Sequence, residues 1–474
     1  MGKTVSLHSR GRTALLAGAG IALACAVQAQ DTDTPGLHMT LDFSQRLEAD
    51  SNLDLDVSSP GTSYISTTSL NFGLSSRTRT QSLTLNAATK LRVRNDPGGT
   101  DSGTSFDEPS LRFAYQLDGA RARLNLGGSY RKSDISFLRP ESDFIGPGGI
   151  ITLPTDLADL TGTGNRVSYG LNGRLEFGRD APLGLILRAS HDVLNYSNTT
   201  STSLFDTTRN KLGATVRLRF SPIMEGNFKA DYNTYEADDT PKTDRRSTLY
   251  SFGISRDLSK ALTLEAALGY SKTETDETIG GIRSTTTKDG ATGSLGLTWE
   301  QANGTLTANL EHSVDQNGAR TEFTLGRSLD LPRGSLSASI GASRGDSGKT
   351  EMIGALDWRH DLPGGSLSAR IARSVASGTD DTDELLTRIN LNYNHEINAV
   401  SSFGLTASHI INDQFLTGTK VRNTSVGATY RRSLTQDWDM RFGYSYRTRQ
   451  ETGAARAKSH SVFVSLDRQF SIRP

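Results

Sequence analysis

Apolar and polar side chains alternate with a period of two along almost the whole chain after Leu37, and no helical period of comparable length occurs. One run places Leu212 and Phe220 on one face and Arg217 and Arg219 on the other. Successive side chains of a β-strand point to opposite faces of its sheet, so each such run is a strand with one apolar and one polar face. The sequence therefore predicts an all-β protein.

The connections between these runs alternate in length, one short and one long. Ser221-Pro222 and residues 301–304 are short turns, whereas residues 197–206 and 273–287 are longer stretches rich in Gly, Ser, Thr and Asp. Counting the runs gives about 22 strands, within a range of about 18 to 24, and about 10 residues allow a tilted strand to cross a membrane. The repeating unit is a β-hairpin.

Composition separates the membrane proteins that fit this pattern from those that do not. The mean hydropathy is −0.44, and only a stretch near the N-terminus approaches the about 20 consecutive apolar residues of a spanning helix. A soluble sandwich has no reason to alternate short and long connections. Outer-membrane barrels do so, because they combine short periplasmic turns with longer external loops, an apolar exterior and a polar lumen. We predict a transmembrane antiparallel β-barrel.

Aromatic side chains cluster beside the short turns. All three tryptophans are of this kind, and several Tyr and Phe residues follow the same rule. Aromatic rings concentrate where a membrane meets water, so these positions predict an interfacial girdle at the short-turn end. The alternative is that aromatic residues are simply common in strands. The girdle candidates are Tyr115, Phe177, Phe220, Trp299, Trp358 and Trp438.

The last predicted strand adds a further sign. Val462, Val464, Leu466 and Phe470 share one face, which Arg468 interrupts. With this terminal strand and the connection pattern, the chain resembles the Gram-negative outer-membrane β-barrel superfamily, porin-like in architecture and without a catalytic motif. The resemblance implies a location in the outer membrane and contact with its lipid and lipopolysaccharide. It also implies insertion by the barrel-assembly machinery and is compatible with a homo-oligomer.

The N-terminus has the layout of a secretory signal peptide. Lys3, Arg10 and Arg12 precede an apolar run, and a small-residue site ends at Ala29. We therefore predict a signal peptide over residues 1–29 and a barrel over residues 30–474. The single cysteine, Cys25, lies within the predicted signal, so the mature chain would contain no disulfide.

Basic residues exceed acidic ones on the polar faces near the short turns, and we expect these faces to line a lumen. In a water-filled lumen such a bias would favour anions. Alternatively, the arginines pair with neighbouring acids and merely fill a polar interior. The pore-lining candidates are Arg112, Arg123, Arg174, Arg188, Arg217, Arg219, Arg370 and Arg441.

Two segments on the long-loop side call for separate hypotheses. Residues 138–165 contain the longest stretch without alternation and are substantially apolar. An apolar loop of this size is expected to pack against the protein and not to remain in water, and we favour packing inside the lumen for this third external loop. Clustered carboxylates are weak candidates for a Ca²⁺ or Mg²⁺ site, and the alternative is a solvated acidic loop. The candidate ligands are Asp380, Asp381, Asp383 and Glu384.

Several functional classes have no support in the sequence. It contains no nucleotide-binding loop, zinc-ligand spacing or Gly-x-Ser-x-Gly elbow, so we predict neither enzymatic activity, nor a cofactor, nor a nucleic-acid partner. A TonB-dependent transporter has a similar strand number but needs an N-terminal plug domain, and the alternation here begins near Leu37. A passive channel for small polar solutes is the leading hypothesis. The alternatives are an export channel for a secreted polysaccharide and a structural or adhesive barrel with binding loops.

Overall fold

The computed structural model describes residues 36–97, 103–135, 164–199, 201, 203–377, 383–415 and 418–472. Within these ranges the chain forms 22 β-strands, the number that the alternation predicts, and no helix there is long and apolar enough to cross a membrane. The strands are β1 Gly36–Asp50, β2 Ser63–Arg77, β3 Gln81–Asn95, β4 Gly103–Asp118, β5 Ala122–Asp134, β6 Asn165–Phe177, β7 Leu183–Ser197, β8 Thr207–Ser221, β9 Met224–Ala237, β10 Thr243–Asp257, β11 Leu262–Ile279, β12 Ile282–Gln301, β13 Gly304–Asp315, β14 Gly318–Leu331, β15 Gly334–Arg344, β16 Thr350–Leu362, β17 Gly365–Ser377, β18 Asp383–Asn398, β19 Ser401–Gln414, β20 Lys420–Ser433, β21 Trp438–Glu451 and β22 Ala457–Ile472.

The sheet closes on itself as an antiparallel barrel. Every strand pairs with its neighbours in the sequence, and β1 also pairs with β22 in a register that runs from Met39 opposite Ile472 to Asp50 opposite Ser461. Closure leaves no edge strand, so the main-chain groups of every strand find partners within the sheet. Lipid supplies no such partners, which is why only closed sheets and helices cross membranes.

The connections sort into two ends, and the alternation of short and long connections that the sequence predicts holds in part. At one end, here called the short-turn end, connections of two to five residues include residues 178–182 between β6 and β7 and residues 363–364 between β16 and β17. The opposite, long-loop end carries every connection longer than five residues, namely 51–62, 96–102, 135–164 and 198–206, but its other seven connections have two to five residues. At the seam, the start of β1 at Gly36 and the end of β22 at Ile472 both lie at the short-turn end.

One predicted loop is wrong. Residues 273–287 do not form a loop but extend β11 and β12 into a long hairpin, in which Ile279 lies opposite Ile282 across Gly280 and Gly281. Both glycines have positive φ, at 58° and 84°, as a two-residue hairpin turn requires. Thr, Glu and Ser alternate here on both faces, so the strand has no apolar face and its period is hidden in the sequence.

The two faces of the barrel wall have the opposite arrangement to a soluble protein. Among the described residues, 53 large apolar or aromatic side chains are exposed, while the buried set comprises twenty polar or charged and twelve apolar residues. On β8, Leu212 and Phe220 are exposed and alternate with Thr215, Arg217 and Arg219 on the other face. Burial of apolar surface drives folding in water, so an exposed apolar face needs lipid around it. The apolar face is therefore the exterior and the polar face lines the lumen.

Hydrogen bonds and an ion pair reinforce the seam between β22 and β1 at the long-loop end. Asp50, which is fully buried, accepts a hydrogen bond from the Arg447 guanidinium at 2.7 Å and another from the Ser459 hydroxyl. Asn52 donates to the main-chain oxygen of Lys458 at 3.0 Å, and the amide of Ser51 donates to His460 at 2.9 Å. The start of the loop over residues 51–62 is thus tied to β21 and β22.

Two predictions concern residues outside the described ranges. The signal peptide over residues 1–29 falls on the N-terminal residues. The apolar loop over residues 138–165 falls almost entirely on residues 136–163, between the end of β5 at Asp134 and the start of β6 at Asn165. These predictions stay as stated.

Candidate channel lining

The structure places all eight candidate arginines on strands whose exposed apolar residues occupy the alternate positions, so their side chains share the lumen face. Six of them lie on the five consecutive strands β4 to β8, while Arg370 lies on β17 and Arg441 on β21. We define the basic sector as the lumen face of β4 to β9 with the turn residue Arg179.

Four carboxylates of the basic sector each lie near two basic side chains. Asp118 on β4 pairs with Arg123 and, at 3.3 Å, with Arg179. Glu176 on β6 lies 3.2 Å from Arg217 and 3.6 Å from Arg174.

The same pattern continues on β9. Glu225 lies 3.3 Å from Arg219 and 3.8 Å from Arg217, while Asp231 lies 2.7 Å from Lys229 and 3.9 Å from Arg188. Within the described residues, five of the six candidate arginines of this sector lie within 4 Å of a carboxylate. Each of these four carboxylates is shared by two cations, so the group that they form is net positive, and the preference for anions stays a prediction.

The other two candidate arginines, Arg370 and Arg441, have carboxylates of their own. Asp467 accepts two hydrogen bonds from Arg441, at 2.7 and 2.6 Å, in a bidentate pair. Asp357 likewise accepts from Nε of Arg370 at 2.6 Å. Paired in this way, each arginine adds little net charge to its surroundings.

A third part of the lumen face is acidic and is not among the sites predicted from the sequence. We define the acidic sector as Glu265, Glu300, Glu311 and Glu322 on β11 to β14. Glu265, Glu300 and Glu311 are exposed, and Glu311 lies directly opposite Glu322 across β13 and β14. Like charges in this position repel. The signal could have been read from the alternation, but the adjacency of the two glutamates needs the register.

The six girdle candidates lie on the outward face, each within a few residues of a short turn. Phe177, Phe220 and Trp299 are exposed at 43, 58 and 50% of their surface. Trp438 meets Phe43 edge to face with ring centroids 6.5 Å apart, and Trp358 stacks on His360. Their role as an interfacial girdle stays a prediction, because it depends on the position of the lipid. The remaining candidate, Tyr115, is half-buried on β4.

Arg468 occupies an outward position on β22, where the sequence showed it interrupting an apolar face. Its guanidinium carbon lies 4.3 Å from the centroid of Phe470 and 5.4 Å from that of Trp438, and its Nη2 lies 3.5 Å from Asp437. These cation–π contacts and the carboxylate hold the guanidinium toward the short-turn end, so its charge does not lie on the apolar part of the face.

The described members of the predicted metal cluster already have donors. Asp383 accepts hydrogen bonds from Arg320 and, at 2.8 Å, from Asn317. Glu384 accepts from Asn412 at 2.9 Å and from Gln414 at 3.1 Å. Asp380 and Asp381 lie outside the described ranges. Within those ranges, no group of three or more His, Cys, Asp or Glu side chains is arranged to hold a metal ion.

Outside the strands, one carboxylate of the long-loop end has a shifted pKa. Burial, together with the nearby charge of Asp238, raises the pKa of Asp206. Its Oδ1 accepts a hydrogen bond from the amide of Tyr196 at 2.7 Å. Asp206 therefore takes up a proton at a higher pH than an isolated aspartate does.

Comparisons with known proteins agree with the fold. No family model and no curated protein matches the sequence. Among solved structures, the FrpB iron transporter from Neisseria meningitidis superposes with a TM-score of 0.59 at 8% identity, covering 92% of this chain and 83% of that one. The ferric-catecholate import receptor Fiu from E. coli K12 gives 0.56 at 11% identity, covering 93 and 82%. The siderophore receptor PirA from Acinetobacter baumannii gives 0.55 at 10% identity, covering 93 and 81%.

These similarities concern the architecture of the barrel. The chain is a closed 22-stranded antiparallel β-barrel with an apolar exterior. At 8 to 11% identity the likeness concerns the fold, and the similar structures are receptors and transporters.

Proposed function

We propose that the protein is a passive channel through which small polar solutes cross the outer membrane. The observation that carries the proposal is the state of the lumen arginines. In the basic sector, the Arg174 and Arg188 side chains retain 41 and 38% of their exposed surface. A charged side chain with this exposure needs water, because a dry interior would make its desolvation too costly. A hydrated polar lumen in a closed barrel is what diffusion of polar solutes requires.

Planar-bilayer recording of the refolded full-length chain tests this proposal. We expect stepwise current increments in potassium chloride as single barrels insert. Heat-modifiable migration on a denaturing gel shows independently that the barrel has folded. A folded barrel that inserts without any conductance would rule out the passive channel.

A second candidate function is uptake of an iron chelate. It is favoured by one observation, the similarity of more than nine-tenths of this chain to barrels that are described as iron or siderophore receptors and transporters. Saturable binding of a ferric catecholate to the detergent-solubilised barrel would support this function. A titration that shows no binding would exclude it for that ligand class. Polysaccharide export and adhesion through the long loops remain alternatives for the same architecture.

The partners that the sequence implies also remain proposals. Lipid and lipopolysaccharide would contact the apolar exterior, the assembly machinery would recognise β22, and a homo-oligomer would form through the outward face. Each follows from the resemblance to outer-membrane barrels, and none of them alters the composition of the lumen wall.

A further inference from the structure

Within the basic sector, Arg174 and Arg188 form a like-charge pair. They lie directly opposite each other on β6 and β7, which places their Cα atoms about 5 Å apart. Two cations in this position destabilise a sheet unless an anion lies between or beside them.

The carboxylates near this pair give it little compensation. Glu176 lies 3.6 Å from Arg174 but 3.2 Å from Arg217, and Asp231 lies 3.9 Å from Arg188 but 2.7 Å from Lys229. Both distances to the pair exceed those of a hydrogen-bonded ion pair, and each acid is closer to another cation. The pair therefore keeps most of its charge.

The positions around the pair are polar and open. Asn125 lies opposite Arg174 on β5, while Lys211 on β8 lies opposite Ser190, two residues along β7 from Arg188. Gly213 lies opposite Arg188, and a Cβ there would meet Nε of Arg188 at 3.4 Å and Oδ1 of Asp231 at 2.5 Å. The Asp231 carboxylate reaches into the space that a side chain at Gly213 would fill, and the Arg188 side chain stays 38% exposed. The hydroxyl of Thr215 accepts from its Nη2 at 2.9 Å, which fixes one side of the guanidinium.

We infer that Arg174 and Arg188, with Lys211, Asn125 and Ser190, form a binding site for a phosphate group carried by the permeating solute. This inference names the substrate class of the proposed channel and rests on that function. Three cations match the two charges and three acceptor oxygens of a phosphate dianion. Arginine forks bind such groups in bidentate fashion, and an amide and a hydroxyl at the edge add neutral donors.

The lumen wall contains a matched control for this site. Arg431 and Arg441 also lie directly opposite each other, on β20 and β21. Each of them has its own carboxylate at 2.6 Å, Asp439 for Arg431 and Asp467 for Arg441. The two pairs therefore have the same strand geometry and differ in compensation.

The experiment measures block of chloride current by inorganic phosphate in planar bilayers. We expect phosphate to reduce the current of the unmodified barrel, and R174Q/R188Q to weaken this block about tenfold or more, as loss of charge-assisted hydrogen bonds predicts. R431Q/R441Q should leave it unchanged. Equal weakening in both double variants would show a general charge effect and overturn the site. A small phosphate monoester, tested in parallel, distinguishes free phosphate from esters as the natural solute.

Calorimetric titration of the solubilised barrel with inorganic phosphate gives a readout that does not depend on conductance. Saturable heat that is lost in R174Q/R188Q and kept in R431Q/R441Q supports the site, and absence of heat in the unmodified barrel refutes it. A barrel that conducts but shows neither block nor heat keeps the proposed function and loses the phosphate site. A folded barrel that binds phosphate without conducting keeps the site and loses the passive channel.

Discussion

The basic sector and the remainder of the lumen wall contain the same kinds of charged side chain but differ in the number of cations for each carboxylate. In the basic sector each of Asp118, Glu176, Glu225 and Asp231 serves two cations. Elsewhere, Arg370 and Arg441 each have one carboxylate, and the acidic sector has exposed glutamates. A count of charged residues gives a neutral chain, with 52 basic and 52 acidic side chains. The field inside a barrel depends instead on how carboxylates are distributed among cations along the wall.

The largest effect is expected where a one-to-one pair is fully buried. Replacement of Arg447 by Met would leave Asp50 buried and uncompensated, and loss of one partner of a buried pair costs about 3 to 5 kcal/mol. The temperature of the heat-modifiable gel shift should fall clearly, and R447K should restore part of it. An unchanged shift temperature would mean that the seam does not depend on this pair.

The second largest effect is expected on ion preference, when charges in the basic sector are reversed. Replacement of Arg217 and Arg219 by Glu would reverse the charge of two cations that share Glu225. The reversal potential in a potassium chloride gradient should move toward cations by about tenfold in the permeability ratio at low salt, where screening is weakest. The same change at Arg359, which pairs one to one with Asp361, is the control and should have a smaller effect. A similar shift in both would remove the distinction between the regions.

Neutralisation of the acidic sector should act in the opposite direction and more weakly. The double variant E265Q/E300Q removes two exposed charges that do not face the arginines directly. We expect the preference for anions to rise about twofold at low salt and to return to the unmodified value at high salt. A preference that falls would show that these glutamates do not face the ion path.

The smallest expected effect is on stability. Glu311 and Glu322 repel each other across β13 and β14, so E311Q should raise the free energy of unfolding by about 0.2 to 1 kcal/mol. Urea unfolding of the detergent-solubilised barrel measures this change. E300Q is the matched control, because that glutamate lies opposite Thr305 rather than another acid. A gain of equal size in the control would point to net charge rather than to the pair.

The period of two in the sequence predicts most of the fold because it is a property of the strand backbone. The sequence of each strand alone shows which of its residues share a face. The strand number, the two ends and the lumen position of the arginines could therefore all be predicted. The hairpin over residues 273–287 was missed because polar residues occupy both of its faces, which leaves no apolar alternation to detect.

The arrangement of the candidate site could not be predicted, because it depends on the register between strands. Arg174 and Arg188 are each readable as lumen residues, but their adjacency follows from the turn at residues 178–182. The contact of Arg468 with Trp438 joins β22 to β21, and Arg447 reaches Asp50 over a separation of 397 residues. Sequence patterns give the face of a residue, and only the closed sheet gives its neighbours.

The reinforcement at one end of the seam has a consequence for how the wall could part. The contacts made by Asp50, Ser51 and Asn52 all lie at the long-loop end, whereas from Met39 to Phe43 the register of β1 with β22 is joined mainly by main-chain pairing and the contact of Phe43 with Trp438. Separation of the two strands therefore needs less free energy at the short-turn end. A lateral opening would start there as a wedge, and the strands would stay joined at the long-loop end.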